Sequence, residues 1–368
     1  MDHTPLDTSR LSPAAQKALG PGPGRMMASR GLVPLPPGDQ IAVLYSLSID
    51  ADQNLATAAR TTAIGLPDKL LGGALADPNV DPRVLDLFAQ LVGENPAAFE
   101  ALVSNGNVAD ETIAYLAANG GAKEIDRIAG NEQRLLRHPA IIAAMYQNKL
   151  ARMSTVDRVV ELAVRNFVKV PGLAAWDEIA QALQHVKPGQ QTAAEADAAF
   201  SAALSKDDDT KLTTGDANQV PAEEQADEAK SDRDLPYSKL TIPQKIRLAM
   251  VGNAVDRGNA IRDPVKVVAV AAIKAGGVTE FEAAHYAGNP GLVEDVIKYI
   301  ARKTDWTKAY GTKVALCRNP KTPVTDTMRF MPFLRDKDLA AIVRSKGVPS
   351  AVVAQARKLV AQRTGPKK

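Results

Sequence analysis

A short phrase built on Asn or Asp, usually followed by Pro or Gly, returns along this chain at near-constant spacing and limits it to a repetitive fold. It reads Asp77-Pro78-Asn79-Val80, Asn105-Gly106-Asn107-Val108, Asp263-Pro264-Val265, Asn289-Pro290-Gly291-Leu292 and Asn319-Pro320-Lys321-Thr322-Pro323. The steps are 28 residues from Asp77 to Asn105, 26 from Asp263 to Asn289 and 30 from Asn289 to Asn319. Helix-breaking and helix-capping residues at such a period, each followed by a short apolar stretch, specify an array of paired helices. The Asn and Asp side chains are read as caps, because they satisfy helix-end amides and tolerate tight turns.

The stretches between the phrases carry apolar residues at helical spacing. Ile41, Leu44, Tyr45 and Leu47 form one stripe, Val84, Leu85, Phe88 and Leu91 another, and Ile113, Leu116 and Ala117 a third. Asp50-Ala51-Asp52 opens a helix that Gly65-Leu66-Pro67 ends, and Ser154-Thr155-Val156-Asp157 is expected to cap a further one. Later in the chain Val265, Val268, Ala269 and Ala272 share a face, as do Val293, Val296, Ile297 and Ile300. Trp306, Tyr310, Val314 and Cys317 are placed together on the next face. Thr241 with Gln244, and Thr279 with Glu282, have the spacing of a capping box. With only 4% aromatic residues and no sustained alternation of period two, the expected class is all-α. Helices of two to three turns are marginal alone, so each must be stabilised by its neighbours.

Composition divides the array in two. Gly20-Pro21-Gly22-Pro23-Gly24 marks residues 1–35 as an expected disordered tail. An N-terminal helical array is expected over 36–186 and a basic C-terminal array over 237–365. Between them, 187–236 holds Asp207-Asp208-Asp209 and Glu223-Glu224 with the single aromatic Phe200, and reads as a flexible acidic linker in which part of 191–204 forms a transient helix. Net charge is −4 over 1–186, −7 over 187–235 and +14 over 236–368.

The unit Asp50-Ala51-Asp52-Gln53-Asn54-Leu55-Ala56-Thr57-Ala58-Ala59-Arg60 followed by Leu66-Pro67 resembles a HEAT-type repeat, and the shorter units with Asn-Pro at the turn resemble the leucine-rich repeat variant. The resemblance covers roughly 36–170 and 240–365 and rests on period, turn phrase and apolar pattern. It implies a curved α-α superhelix, an armadillo-like solenoid, in two arrays that bind other macromolecules. The leucine-rich repeat variant family can carry a cysteine-rich iron–sulfur segment; Cys317 is the chain's one cysteine, so no cluster or other cofactor is expected.

A single cysteine also excludes an intramolecular disulfide and fits a reducing compartment. The start, Met1-Asp2-His3-Thr4-Pro5-Leu6, lacks the basic-then-apolar pattern of a secretory signal, and no apolar run reaches the roughly 20 residues of a membrane span. A cytoplasmic protein is expected. The histidines His3, His138, His185 and His285 show no metal-ligand spacing. Carboxylate pairs such as Asp157 with Glu161 and Glu294 with Asp295 read as solvated faces or as partners of Arg158 and Lys298. No enzyme is expected, and no catalytic, cofactor or metal residue is assigned.

The functional signal is charge. Lys298, Arg302, Lys303, Lys308 and Lys313 flank Trp306 and Tyr310, and Arg344 and Lys346 follow. These are the candidate partner-binding residues of a non-catalytic scaffold or adaptor whose expected partner is a protein, an acidic one being the complement of this surface. The alternative is a nucleic-acid-binding module in which the basic array tracks phosphates. A third occupant of the basic surface is the acidic linker itself, held at high effective concentration by its tether. The residue types in this pattern do not name the partner.

Overall fold

A computed structural model describes residues 3–183, 191–204, 213–220, 237–345 and 347–364, and among them every regular element is helical. The fold is all-α. None of these helices is long and apolar enough to cross a membrane. The chain divides into two compact units, Met1–Pro171 and Gly172–Lys368.

The first unit contains α1 (Pro13–Leu19), α2 (Gly24–Ser29), α3 (Pro37–Ser48), α4 (Gln53–Ile64), α5 (Asp68–Leu75), α6 (Pro82–Val92), α7 (Pro96–Ser104), α8 (Asp110–Asn119), α9 (Ala122–Ala129), α10 (Glu132–Arg137), α11 (Ala140–Gln147) and α12 (Met153–Arg165). Packing is mostly between near neighbours in sequence: α3 on α4 and α5, α5 on α7, α6 on α8, α8 on α11. Starts follow the sequence closely. Asp52 Oδ1 accepts the Asn54 amide at 2.9 Å, and proline takes the first helical position of α3, α6 and α7, where its missing N–H costs nothing. The expected cap at Ser154 is corrected: α12 begins at Met153, and Thr155, buried, hydrogen-bonds Asp126 of the preceding repeat.

The expected disordered tail is corrected as well. Ala15, Ala18 and Ala28 are buried, the glycines only turn the chain between α1 and α2, and Gly22 takes φ 125°, a left-handed value open to a residue without Cβ. The Tyr45 hydroxyl donates to the Thr4 carbonyl at 2.9 Å, and Thr62 donates to that of Ser29 at 2.7 Å. Small apolar faces too weak to register as helical stripes are enough when a neighbouring helix covers them.

The second unit contains α13 (Trp176–Leu183), α14 (Ala193–Ala203), α15 (Ile242–Val251), α16 (Ala254–Ile261), α17 (Lys266–Ile273), α18 (Glu280–Gly288), α19 (Glu294–Arg302), α20 (Thr304–Lys308), α21 (Tyr310–Arg318), α22 (Val324–Phe330), α23 (Asp336–Arg344) and α24 (Ser350–Thr364). Although expected in the N-terminal array, α13 packs on α15 and α17, and its Glu178 pairs with Lys274 at 2.7 Å. Both capping boxes form; Glu282 and Thr279 exchange hydrogen bonds at 2.9 and 3.1 Å. Part of the expected linker is packed. Phe200 of α14 is buried under the Arg247 guanidinium, 4.5 Å from the ring centroid. Residues 187–190, 205–212 and 221–236 lie outside the described residues.

The recurring phrase has a structural role beyond capping. Asn105, Asn148 and Asn319 each follow the last turn of a helix and are buried. Their side-chain amides reach back about 30 residues: Asn105 to the carbonyls of Leu75 and Asp77 at 2.7 and 3.0 Å, and Asn319 to those of Ala287 and Asn289 at 2.8 and 3.1 Å. Asn148 lies within 3.0 Å of the carbonyls of Ala117, Ala118 and Gly120. Each side-chain oxygen accepts the amide two residues on, at 2.8 to 2.9 Å, which is an Asx turn. One side chain therefore forms its own turn and donates to carbonyls at an earlier helix end, where intrahelical partners run out. Asn148 was invisible to the phrase because Lys149 and Leu150 follow it.

Candidate functional site

The second unit holds a turn of its own chain in a groove. The groove lies where α18, α20 and α21 pack together. Instead of one helix carrying Trp306, Tyr310, Val314 and Cys317 on a common face, the chain breaks at Ala309, which is extended with ψ 137°. The break exposes the start of α21. Ala309 has no side chain with which to cap it, so the first amides lack intrahelical partners.

Residues of the expected linker supply those partners. The Tyr310 amide donates to Asn218 Oδ1 at 3.0 Å and the Gly311 amide donates to the Ala217 carbonyl at 3.1 Å. The Ala217 methyl is buried with Ala284 and Ala309. Asp216 shapes the segment: its side chain accepts the Asn218 amide and its carbonyl accepts that of Gln219, both at 2.9 Å. Two glycines permit the approach. A Cβ on Gly311 would stand 2.0 Å from the Gln219 carbonyl oxygen and 2.5 Å from that of Ala217, and one on Gly215 would stand 2.3 Å from the Phe281 ring. Of residues 214–219 only Ala217 is buried. A helix start, one methyl pocket and a contact sterically open only to glycine thus hold a turn of chain through backbone groups and small side chains.

The Tyr310 side chain is tied down beside this helix start. The Tyr310 hydroxyl donates to Asp338 at 2.5 Å and accepts the Arg335 amide at 2.9 Å, while the Arg335 guanidinium stacks 4.6 Å from its ring centroid. Burial, then the hydrogen bond to Asp338, push the Tyr310 phenol above its ordinary range.

The predicted basic residues are scattered around this unit with differing surroundings. Lys298 pairs with Glu294 at 2.7 Å and Lys308 with Asp305 at 2.9 Å, each within its own helix. Lys303 lies 4.1 Å from the Trp306 ring centroid, a cation–π arrangement. Lys313 donates to the Lys308 carbonyl at 3.0 Å. Arg302 and Arg344 are exposed, and Lys346 lies outside the described residues. Trp306 is buried, edge-on to Tyr299, and unavailable for base stacking. Cys317 is buried and its thiol is pushed up to about 12 by desolvation.

The first unit offers a cleft of about 910 Å³ bordered by Asp39, Asp77, Asp81 and Arg83. A second, of about 560 Å³, is lined by Tyr115 and Leu150, both exposed. Among the described residues no group of three or more His, Cys, Asp or Glu is placed to hold a metal ion. Compared with protein-family models, curated proteins and solved structures, the chain matches none.

Sequence reasoning missed the groove because it sought charge. The signal that was available is Gly215-Asp216-Ala217-Asn218, a turn-forming run inside the acidic stretch. Its target, Gly311, sits one residue past a helix start that no Pro or Gly announces.

Proposed function

We propose that this protein is a non-catalytic adaptor of the helical-repeat kind, acting in the cytoplasm and binding a segment of a partner protein through repeat surfaces. The observation that carries this reading is the capture of Asp216–Gln219 at the start of α21. A fold that binds one turn of chain by helix-end amides and a methyl pocket has the chemistry to bind such a turn in a partner. Near-neighbour packing and the asparagines that reach back about one repeat support the likeness to HEAT and leucine-rich repeat variant solenoids. Rigid repeats of that kind serve as extended binding surfaces.

The nucleic-acid reading draws less support. Lys298 and Lys308 are matched by carboxylates on their own helices, and Trp306 is inside. The test is affinity capture by the full chain, followed by reconstitution with the purified partner and measurement of stoichiometry by calorimetry. A saturable complex of fixed stoichiometry is expected. Recovery of nucleic acid alone, with binding that falls steeply between low and physiological salt, would overturn the adaptor in favour of the alternative.

A further inference from the structure

Resting on the adaptor reading, we propose that the groove at the start of α21 is a receptor for a Gly-Asp-Ala-Asn turn presented by another protein, and that the chain's own residues 213–220 are its competing occupant. Each position of the turn has a recognisable reason. Gly215 passes over Phe281 where a Cβ would stand 2.3 Å from the ring. Asp216 closes the turn on the Asn218 amide. Ala217 buries its methyl against Ala284 and Ala309. Asn218 caps the Tyr310 amide, the service that Ser, Asp or Asn normally performs from within the helix's own sequence. The selectivity is for turn chemistry rather than for net acidity, since Asp216 uses its carboxylate inside the turn.

The occupant is largely exposed. Of residues 214–219 only Ala217 is buried, and the consecutive amides of Tyr310 and Gly311 donate to it. What favours the internal segment is its attachment to the same chain, which makes its binding intramolecular and raises its effective concentration. A partner's turn of equal affinity must overcome that advantage, so the internal segment acts as a gate.

The probe is a fluorescein-labelled peptide Thr-Thr-Gly-Asp-Ala-Asn-Gln-Val, the sequence of residues 213–220, titrated into the full chain by anisotropy. Ala217→Lys in the protein evicts the internal turn and leaves the groove intact, so it should bind the peptide at least about tenfold more tightly than wild type. Gly311→Ala should bind none, because the three nearest atoms to the added Cβ all belong to the bound segment. Alanine favours the helix itself, so this variant should fold, as circular dichroism will show. A peptide carrying Asn218→Ala should lose most of its affinity for the Ala217→Lys protein. Hydrogen exchange supplies a second readout: the Tyr310 and Gly311 amides should be slow in wild type, faster in Ala217→Lys, and slow again when peptide is added. Equal peptide binding by wild type and Ala217→Lys, or unchanged exchange at those amides, overturns the gate. Reconstitution with a partner protein is scored separately, so a complex that survives Gly311→Ala would sink the receptor while leaving the adaptor standing.

Discussion

At the scale of single residues, the buried asparagines show how one side chain joins two helix ends about 30 residues apart. Asn319 satisfies two carbonyls of the preceding repeat and the amide of Lys321. Asn319→Ala leaves these groups unpaired in a buried site and should cost about 2–4 kcal/mol in urea unfolding. Asn79, at the same turn of an earlier repeat but exposed, contacts only its own phrase through Asp77, and Asn79→Ala should change stability by no more than about 0.5 kcal/mol. Equal costs at the two positions would show that the turn, not the reach between repeats, is what matters. Cys317 makes a second residue-scale prediction. Burial raises its thiol to about 12, so at pH 8 almost no thiolate is present. The native protein should resist a small maleimide over minutes, and the urea-unfolded protein should be modified completely, as mass spectrometry can follow. Both roles were half legible in the sequence. The Asx turn is local chemistry and could be read from the phrase, whereas burial depends on a helix about 30 residues away.

At the scale of elements, close approach decides which small residues are required. A Cβ on Gly93, just past α6, would stand 2.9 Å from Leu116 Cδ2 and 2.3 Å from the Ala89 carbonyl oxygen. Gly93→Ala should therefore cost about 1–3 kcal/mol, the usual range for overpacking. Gly73, inside α5, has nothing within 4 Å of its ideal Cβ. Gly73→Ala should stabilise by up to about 1 kcal/mol through helix propensity, and paired urea titrations of the two variants check both signs. Helix boundaries were largely readable from capping residues and prolines. The break between α20 and α21 was not, because neither Lys308 nor Ala309 interrupts a helix by itself. The new helix start is satisfied by Asn218, 92 residues earlier in the chain.

At the scale of the whole molecule, each unit has its own core. A fragment of residues 1–171 should keep its helical far-UV signal and unfold cooperatively, because its helices bury their faces on one another. Predominantly local packing also favours rapid folding. A fragment that exposes hydrophobic surface to a dye and loses its near-UV signal would show that the unit boundary lies elsewhere. The charge division that the sequence displays so clearly says less about function than it promised. Lys298, Lys303 and Lys308 already have partners within the second unit, and the segment seen bound to this basic unit is held through the Asn218 side-chain amide, the Ala217 carbonyl and the Ala217 methyl.

The sequence alone determined the all-helical class and the positions of most turns. These follow from backbone preferences and capping groups that act within a few residues. Only the tertiary structure decided which asparagines reach between repeats, which part of residues 1–35 and of the acidic stretch packs, and where a groove opens. Those outcomes depend on which polar groups lose water when distant parts of the chain meet, and no local pattern records that.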